Sequence, residues 1–196
     1  MVPRETYHHG DLRAALVAEG LHQLERSGES ALSLRALAKA AGVSPNAPYR
    51  HFTDKDELMG ALAAEGFEQF ADVIAGAGAP TDAALDVLKA QGLAYLNFAT
   101  SRPALYRLMF SPLGYSLHSQ ACQNHSERAF GTLVAAVARA QAEGWKTGQD
   151  FMSLVLGFWA ALHGWVGLVG ERLLPPEVTV PEAKTWLDAL LWDGTR

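Results

Sequence analysis

The stretch from Ser33 to Phe52 restricts the fold more than any other part of the chain. Leu34, Leu37, Ala38 and Ala41 recur at the spacing of one helix face. Ser33 stands where an N-cap belongs and Gly42 where a left-handed C′ residue belongs. After Gly42-Val43-Ser44 a second short segment runs to Phe52. The glycine lets the backbone reverse sharply, and Val43 is placed to plug the space between the two segments. The spacing therefore predicts a helix-turn-helix pair. Thr53 and Asp54 compete to cap the helix that follows, where Asp54-x-x-Glu57 has the form of a capping box.

The rest of the chain reads the same way. Leu12, Leu16, Leu21 and Leu24 form a first stripe, and Met59, Leu62, Ala63, Gly66, Phe70 and Val73 continue the helix begun near Asp54. Gly76-Ala77-Gly78-Ala79-Pro80 is the clearest break. Beyond it the periodicity predicts helices over 82–100, 103–111, 117–143, 149–172 and 182–193. No stretch alternates with period two. The expected class is all-α, with a helix-turn-helix unit over 1–58 and a helical body over 59–196.

Composition narrows the functional classes. With 49% hydrophobic residues and a net charge of −5 in 196 residues, the chain is not of the disordered class. A single cysteine, Cys122, rules out an internal disulfide and fits a reducing cytoplasm; residues 1–9 lack the apolar core of a signal peptide. The charge is unevenly spread. Residues 33–55 carry Arg35, Lys39, Arg50 and Lys55 against Asp54 alone, whereas 59–196 is net acidic. Such a basic stretch suits local contact with nucleic acid, and also an ordinary solvated face.

In a DNA-reading pair the second helix enters the major groove by its first residues, here Pro45, Asn46 and Ala47, followed by Tyr49, Arg50 and His51. On the bare pattern this reading and that of a plain helical hairpin with a polar rim stay open. Pro48 complicates both. It cannot donate to the Ser44 carbonyl and disfavours a helical Ala47, so the second helix is expected to start late or with a distorted first turn, with Tyr49–Phe52 helical.

Three blocks match in register: Leu32-Ser33-Leu34-Arg35-Ala36-Leu37-Ala38, then Ala41-Gly42-Val43-Ser44, then Pro48-Tyr49-Arg50-His51-Phe52 with Lys55-x-x-Leu58. Over residues 8–62 the chain resembles the DNA-binding domain of the tetracycline-repressor (TetR) family of bacterial regulators. His8-His9-Gly10-Asp11-Leu12-Arg13 resembles the opening of one branch. Arg102–Phe110 and Leu162-His163-Gly164-Trp165 resemble, more loosely, that branch's WHG-type C-terminal domain.

The resemblance implies a DNA-contacting set of Ser33, Arg35, Ser44, Pro45, Asn46, Ala47, Tyr49, Arg50, His51 and Lys55. Ser33, Tyr49, His51 and Lys55 would sit on phosphates, Arg35 would reach a guanine edge, and Pro45, Asn46, Ala47 and Arg50 would face the groove. Pro48 departs from the family's usual leucine. The implied function is a ligand-responsive transcriptional regulator: a repressor that binds a palindromic operator on double-stranded DNA as a homodimer and is released by a small-molecule effector.

The 20 residues Phe151–Gly170 carry no charge, long enough for a membrane span. Small residues recur there at three- and four-residue spacing, which favours close approach of another helix. We read a homodimer interface using Gly157, Ala161, Gly164, Leu168, Trp186 and Leu190, with no membrane; a membrane-associated or protein-interaction module without DNA binding is the alternative. Tyr95, Phe98, Met109, Phe110, His118, Cys122, Phe158 and Trp159 are candidates for an apolar effector pocket, though aromatics at helical spacing suit plain core equally. His118, Cys122 and His125 share one predicted helix face. A metal site is the lesser reading there, since no fourth ligand is evident, and no cofactor is expected. The chain has no Gly-x-Ser-x-Gly, no phosphate loop and no Cys-x-x-Cys, so nothing supports an enzyme.

Overall fold

The computed structural model describes residues 12–111, 120–170, 172–178 and 181–192. Among these the regular elements are all helical. They are α1 (Leu12–Ser27), α2 (Leu34–Ala40), a 3-10 turn (Pro48–Arg50), α3 (Lys55–Ala75), α4 (Ala84–Ser101), α5 (Pro103–Phe110), α6 (Gln120–Ala142), α7 (Phe151–Trp165, continued by a π turn to Gly170) and α8 (Ala183–Leu191). The segments matched at residues 8–11, the start of the helix predicted from 117, and His118 lie outside the described residues.

Local chemistry sets the ends of the N-terminal helices. Ser33 accepts the Ala36 N–H at 3.1 Å and so caps α2. At the other end Gly42 has φ +68°, and the Gly42 and Val43 N–H groups reach the carbonyls of Lys39 and Ala38 at 3.3 and 3.0 Å. That is a Schellman closure, which the left-handed glycine makes possible. Asp54 caps α3 by accepting the Glu57 N–H at 2.9 Å. Glu57 reaches back to the Thr53 N–H and hydroxyl at 2.6 and 2.9 Å. Those two donors, the backbone one first, hold the Glu57 carboxyl below the usual carboxylate range.

Leu16, Leu24, Leu37, Phe52, Leu58 and Leu62 are all essentially sealed from solvent and bind α1, α2 and the start of α3 into one head. α3 then runs unbroken through residue 58 to Ala75, where its far half packs along α6, α4 and α5. Head and body thus share one helix. Glu25 of α1 adds a second link: its carboxylate accepts the Leu105 and Ala104 N–H groups at 2.8 and 3.3 Å, closing the free first turn of α5. In the body, Gly92 lets α4 approach α8 and α7 closely, since a Cβ there would lie 3.0 Å from Leu187 and 3.1 Å from Phe158. The Trp145 indole donates to the Leu191 carbonyl at 3.0 Å and fixes the end of α8.

Candidate functional site

Two features stand out: the outer surface of the head and a cavity in the body. In the head, Arg35, Ser44, Pro45, Asn46, Tyr49 and Arg50 are exposed, while Ala47 and His51 are half-buried. Ser33 is exposed and already serves as the α2 cap. The Lys55 ammonium donates to the Glu29 carbonyl at 2.7 Å, tying the α1–α2 loop to the start of α3.

The second segment of the pair differs from the expectation in one respect. Tyr49–Phe52 is not a continuous helix; only Pro48–Arg50 forms a single 3-10 turn. The cause is Pro48, which is buried and has no N–H to give the Ser44 carbonyl. That carbonyl takes the Ala47 N–H instead at 3.0 Å, Arg50 bonds Ala47 at 3.2 Å, and His51 bonds Pro48 at 2.9 Å. Three-residue closures replace the α-helical ladder as far as His51, and only the Phe52 N–H, 3.0 Å from the Pro48 carbonyl, reaches back four residues. Ala47 itself is helical, at φ −62° and ψ −43°, despite preceding a proline. The turn presents Tyr49 and Arg50 outward, and Phe52 anchors it to the core with the Arg13 guanidinium 5.4 Å above its ring.

In the body, α3, α4, α5, α6 and α7 line a half-open cavity of about 330 Å³. Its wall is mostly aromatic, with Phe67, Phe70, Phe110, Phe130, Phe158 and Trp159 among the lining residues. Of the pocket candidates read from the sequence, Tyr95, Phe110, Phe158 and Trp159 line it. Phe98, Met109 and Cys122 are buried but are not among its lining residues. Phe67, Phe70 and Phe130 line it too; on the sequence they are indistinguishable from core positions. Burial pushes the Cys122 thiol up to about 11, which leaves it protonated and unreactive near neutrality.

Beside the cavity three polar rings share two hydrogen bonds. The Tyr95 and Tyr106 hydroxyls are 2.7 Å apart, and Tyr106 Oη lies 2.8 Å from His163 Nδ1. Burial raises both phenols, Tyr106 to about 12, and lowers the imidazole to about 4. All three are therefore neutral at pH 7. The His163 ring is also packed edge-on by Phe110, with 4.7 Å between centroids, and by Trp159 at 5.1 Å.

The interface candidates occupy the outer side of the body. Gly157, Gly164 and Leu168 are exposed, Ala161, Trp186 and Leu190 half-buried, and Trp186 stacks on Trp165 with centroids 4.6 Å apart. Cβ atoms added at Gly157 or Gly164 would meet open space. The helix Phe151–Gly170 is long and apolar enough to cross a membrane, and 28% of its most apolar window is buried within the chain. Among the described residues no group of three or more His, Cys, Asp or Glu side chains is disposed to hold a metal.

A helix-turn-helix head joined through a shared helix to a hollow helical body defines a class of two-part regulators. Comparison with known proteins gives the family. Residues 16–62 match the bacterial regulatory proteins of the tetR family, and residues 88–189 match the tetracyclin repressor-like C-terminal domain. The chain belongs to the TetR family of transcriptional regulators, which are not enzymes. An HTH-type transcriptional regulator of Mycobacterium tuberculosis is 31% identical over 137 residues, 68% of this chain and 58% of the relative. The match thus spans less than two-thirds of that relative's length. A protein of unknown function from Rhodococcus sp. RHA1 is 31% identical with a TM-score of 0.79, covering 96% of this chain and 97% of the other. A TetR family regulator from Marinobacter aquaeolei shares the fold at 21% identity and a TM-score of 0.65, covering 90% and 91%.

Proposed function

We propose that the chain represses transcription by binding an approximately palindromic operator as a homodimer, and that a small apolar effector in the body releases it. The observation that carries this reading is the conjunction of an exposed Arg35–Tyr49–Arg50 surface on the head with an aromatic-walled cavity in the body, the two joined by α3. Arg35, Asn46 and Arg50 supply forked side chains for base edges. Ser33, Tyr49, His51 and Lys55 supply phosphate donors, Lys55 with the two N–H groups that Glu29 leaves free. The functional division falls near residue 58, with DNA contact before it and effector binding and dimerisation after it.

The homodimer rests on the exposed side of the Phe151–Gly170 helix. Met152, Leu156 and Leu168 are each more than 40% exposed there, beside glycines that leave a flat surface. An apolar patch of this kind calls for a covering surface, and the same helix from a second copy gives a closed two-fold contact. Two heads then address two half-sites about one helical turn apart. Such a protein works in the cytoplasm, as its lone buried thiol also suits.

Selection of bound duplexes from a random pool, followed by band shifts at several salt concentrations, tests the DNA half. The expected product is a palindromic site on which Arg35→Ala loses discrimination at one base position. Lys55→Ala should weaken all sequences alike with a shallower salt slope. Recovery of no palindrome at modest salt, or equal losses for both variants on every operator variant, overturns the assignment. Light scattering tests the dimer: Leu168→Glu should give a folded monomer, and a wild-type protein that is monomeric or partitions into membranes refutes the interface.

A further inference from the structure

The segment after Gly42 carries the opening of an α-helix that it does not form. Ser44 is a favoured N-cap and Pro45 a favoured first residue. The bond that would start such a helix runs from the residue 48 N–H to the Ser44 carbonyl, and Pro48 has no N–H to supply it. In its place the Ala47 N–H takes that carbonyl at 3.0 Å, and the Arg50 N–H reaches Ala47 rather than Asn46. Both flanks are fixed independently of this choice. The Gly42 and Val43 N–H groups close α2, and Phe52 is 1% exposed in the core of the head. One missing donor at a buried position therefore decides between two backbone paths over residues 45–51.

The two paths present different reading surfaces. In an α-helix begun at Pro45, Arg50 would lie one turn beyond Asn46 on the same face, and the two forked side chains would address neighbouring base edges together. A three-residue closure instead sets Arg50 over Ala47, since side chains at i and i+3 eclipse in 3-10 geometry. Asn46, Tyr49 and Arg50 are all exposed, whereas Pro48 is buried and offers no surface to a base. Its influence on DNA must pass through the backbone that it shapes.

We propose that Pro48 is a positioning residue that sets operator choice. By holding residues 48–50 as a 3-10 turn it separates Arg50 from Asn46, and the chain reads a half-site that an α-helical version of the same side chains would not. The inference rests on the reading of this surface as the DNA interface, and goes further by assigning its specificity to a residue that touches no base.

Selection from random duplexes, followed by band shifts, tests it on the whole chain as wild type, Pro48→Ala and Pro48→Leu. Alanine restores the N–H with no added bulk; leucine restores it in a larger apolar side chain, and either serves alone if the other fails to fold. Both variants should select one common half-site that differs from the wild-type one. Each protein should prefer its own operator about ten-fold over the other, a crossed preference of the size that one good base contact gives. In Pro48→Ala the restored residue 48 N–H should exchange slowly with solvent deuterons, as a helical N–H does. Variants that rank the operators as wild type does, whatever their overall affinity, overturn the proposal while leaving the surface a DNA interface. So does a residue 48 N–H that exchanges freely, and so do half-sites that differ between the two variants, which would trace the effect to side-chain shape. A wild type that selects no site overturns the DNA-interface reading and the proposal with it.

Discussion

Removing the Tyr106 hydroxyl should destabilise the chain far more than removing the Tyr95 hydroxyl, although both phenols are buried and sit in the same cluster. The reason is position in the chain of bonds. Whichever way the protons run between Tyr95, Tyr106 and His163, the middle hydroxyl is a partner in both bonds. Tyr106→Phe therefore leaves two groups unpaired at once, the Tyr95 hydroxyl and His163 Nδ1. At about 1–3 kcal/mol for each orphaned buried group, and toward the low end for the half-buried imidazole, the loss is about 2–4 kcal/mol. Tyr95→Phe removes an end of the chain and leaves Tyr106 still bonded to His163, for about 1 kcal/mol. At roughly 2–4 °C per kcal/mol for a chain of this size, the expected drops in Tm are about 4–16 °C and about 2–4 °C.

Equilibrium urea unfolding at pH 7 and fixed protein concentration measures both, the fixed concentration removing the contribution of association. The double variant sharpens the test. With both hydroxyls gone only His163 is orphaned, so Tyr95→Phe/Tyr106→Phe should be no less stable than Tyr106→Phe alone, a non-additive result. Equal losses for the two single variants, or a double variant that loses their sum, would refute the shared-chain account.

Three further outcomes follow from the same contacts. His163 is held near 4 in the fold against 6.5 when unfolded, so the unfolded chain binds the extra proton between those values. Its contribution to stability should be complete above pH 6.5 and decline as the pH falls toward 4, and His163→Phe should flatten urea midpoints measured from pH 7.5 to 4.5. Gly42→Ala meets no steric obstacle but forces a Cβ into φ +68°, at about 1–2 kcal/mol, measurable as a lowered urea midpoint at unchanged m-value. Glu25→Ala frees two N–H groups at the start of α5 and should lower stability by about 0.5–2 kcal/mol, with Glu25→Gln recovering part of it.

Much of the head was legible because its determinants are local. A cap three residues from the N–H it binds, a left-handed glycine two residues past the last helical turn and a four-residue apolar stripe all lie within reach of a short window. Ser33, Gly42 and Asp54 each act within four residues of themselves. Pro48 was legible as a disturbance but not in its result: whether a missing N–H delays a helix or reduces it to one 3-10 turn depends on how Phe52 and Pro48 are anchored in the core. The body was far less legible. Glu25 binds N–H groups 79 and 80 residues away, and Gln91 looks like any polar residue in a helix until neighbouring helices close over it. Phe67 and Phe70 share their face of α3 with true core positions, and only the crossing of five helices leaves a hollow beside them.

The same geometry bears on how the two halves would communicate. A ligand can shift the head only by binding one arrangement of the body more tightly than another, and DNA must then disfavour that ligand by the same factor. Phe70 is the natural transmitter: it lines the cavity, meets Tyr95, Phe98 and Phe110 edge-on at 5.1, 5.2 and 6.0 Å, and sits on the helix whose first turns carry Leu58, Met59 and Leu62 of the head's core. A guest that pressed on this side chain would meet three neighbouring rings as well as the helix that carries it. The displacement would pass along α3, and α5, held at Leu105 by Glu25, would carry it to α1 as well. Under the proposed function, these two connections at different points of the head, α3 and the Glu25 carboxylate, are the routes by which a guest in the cavity would reach the reading surface.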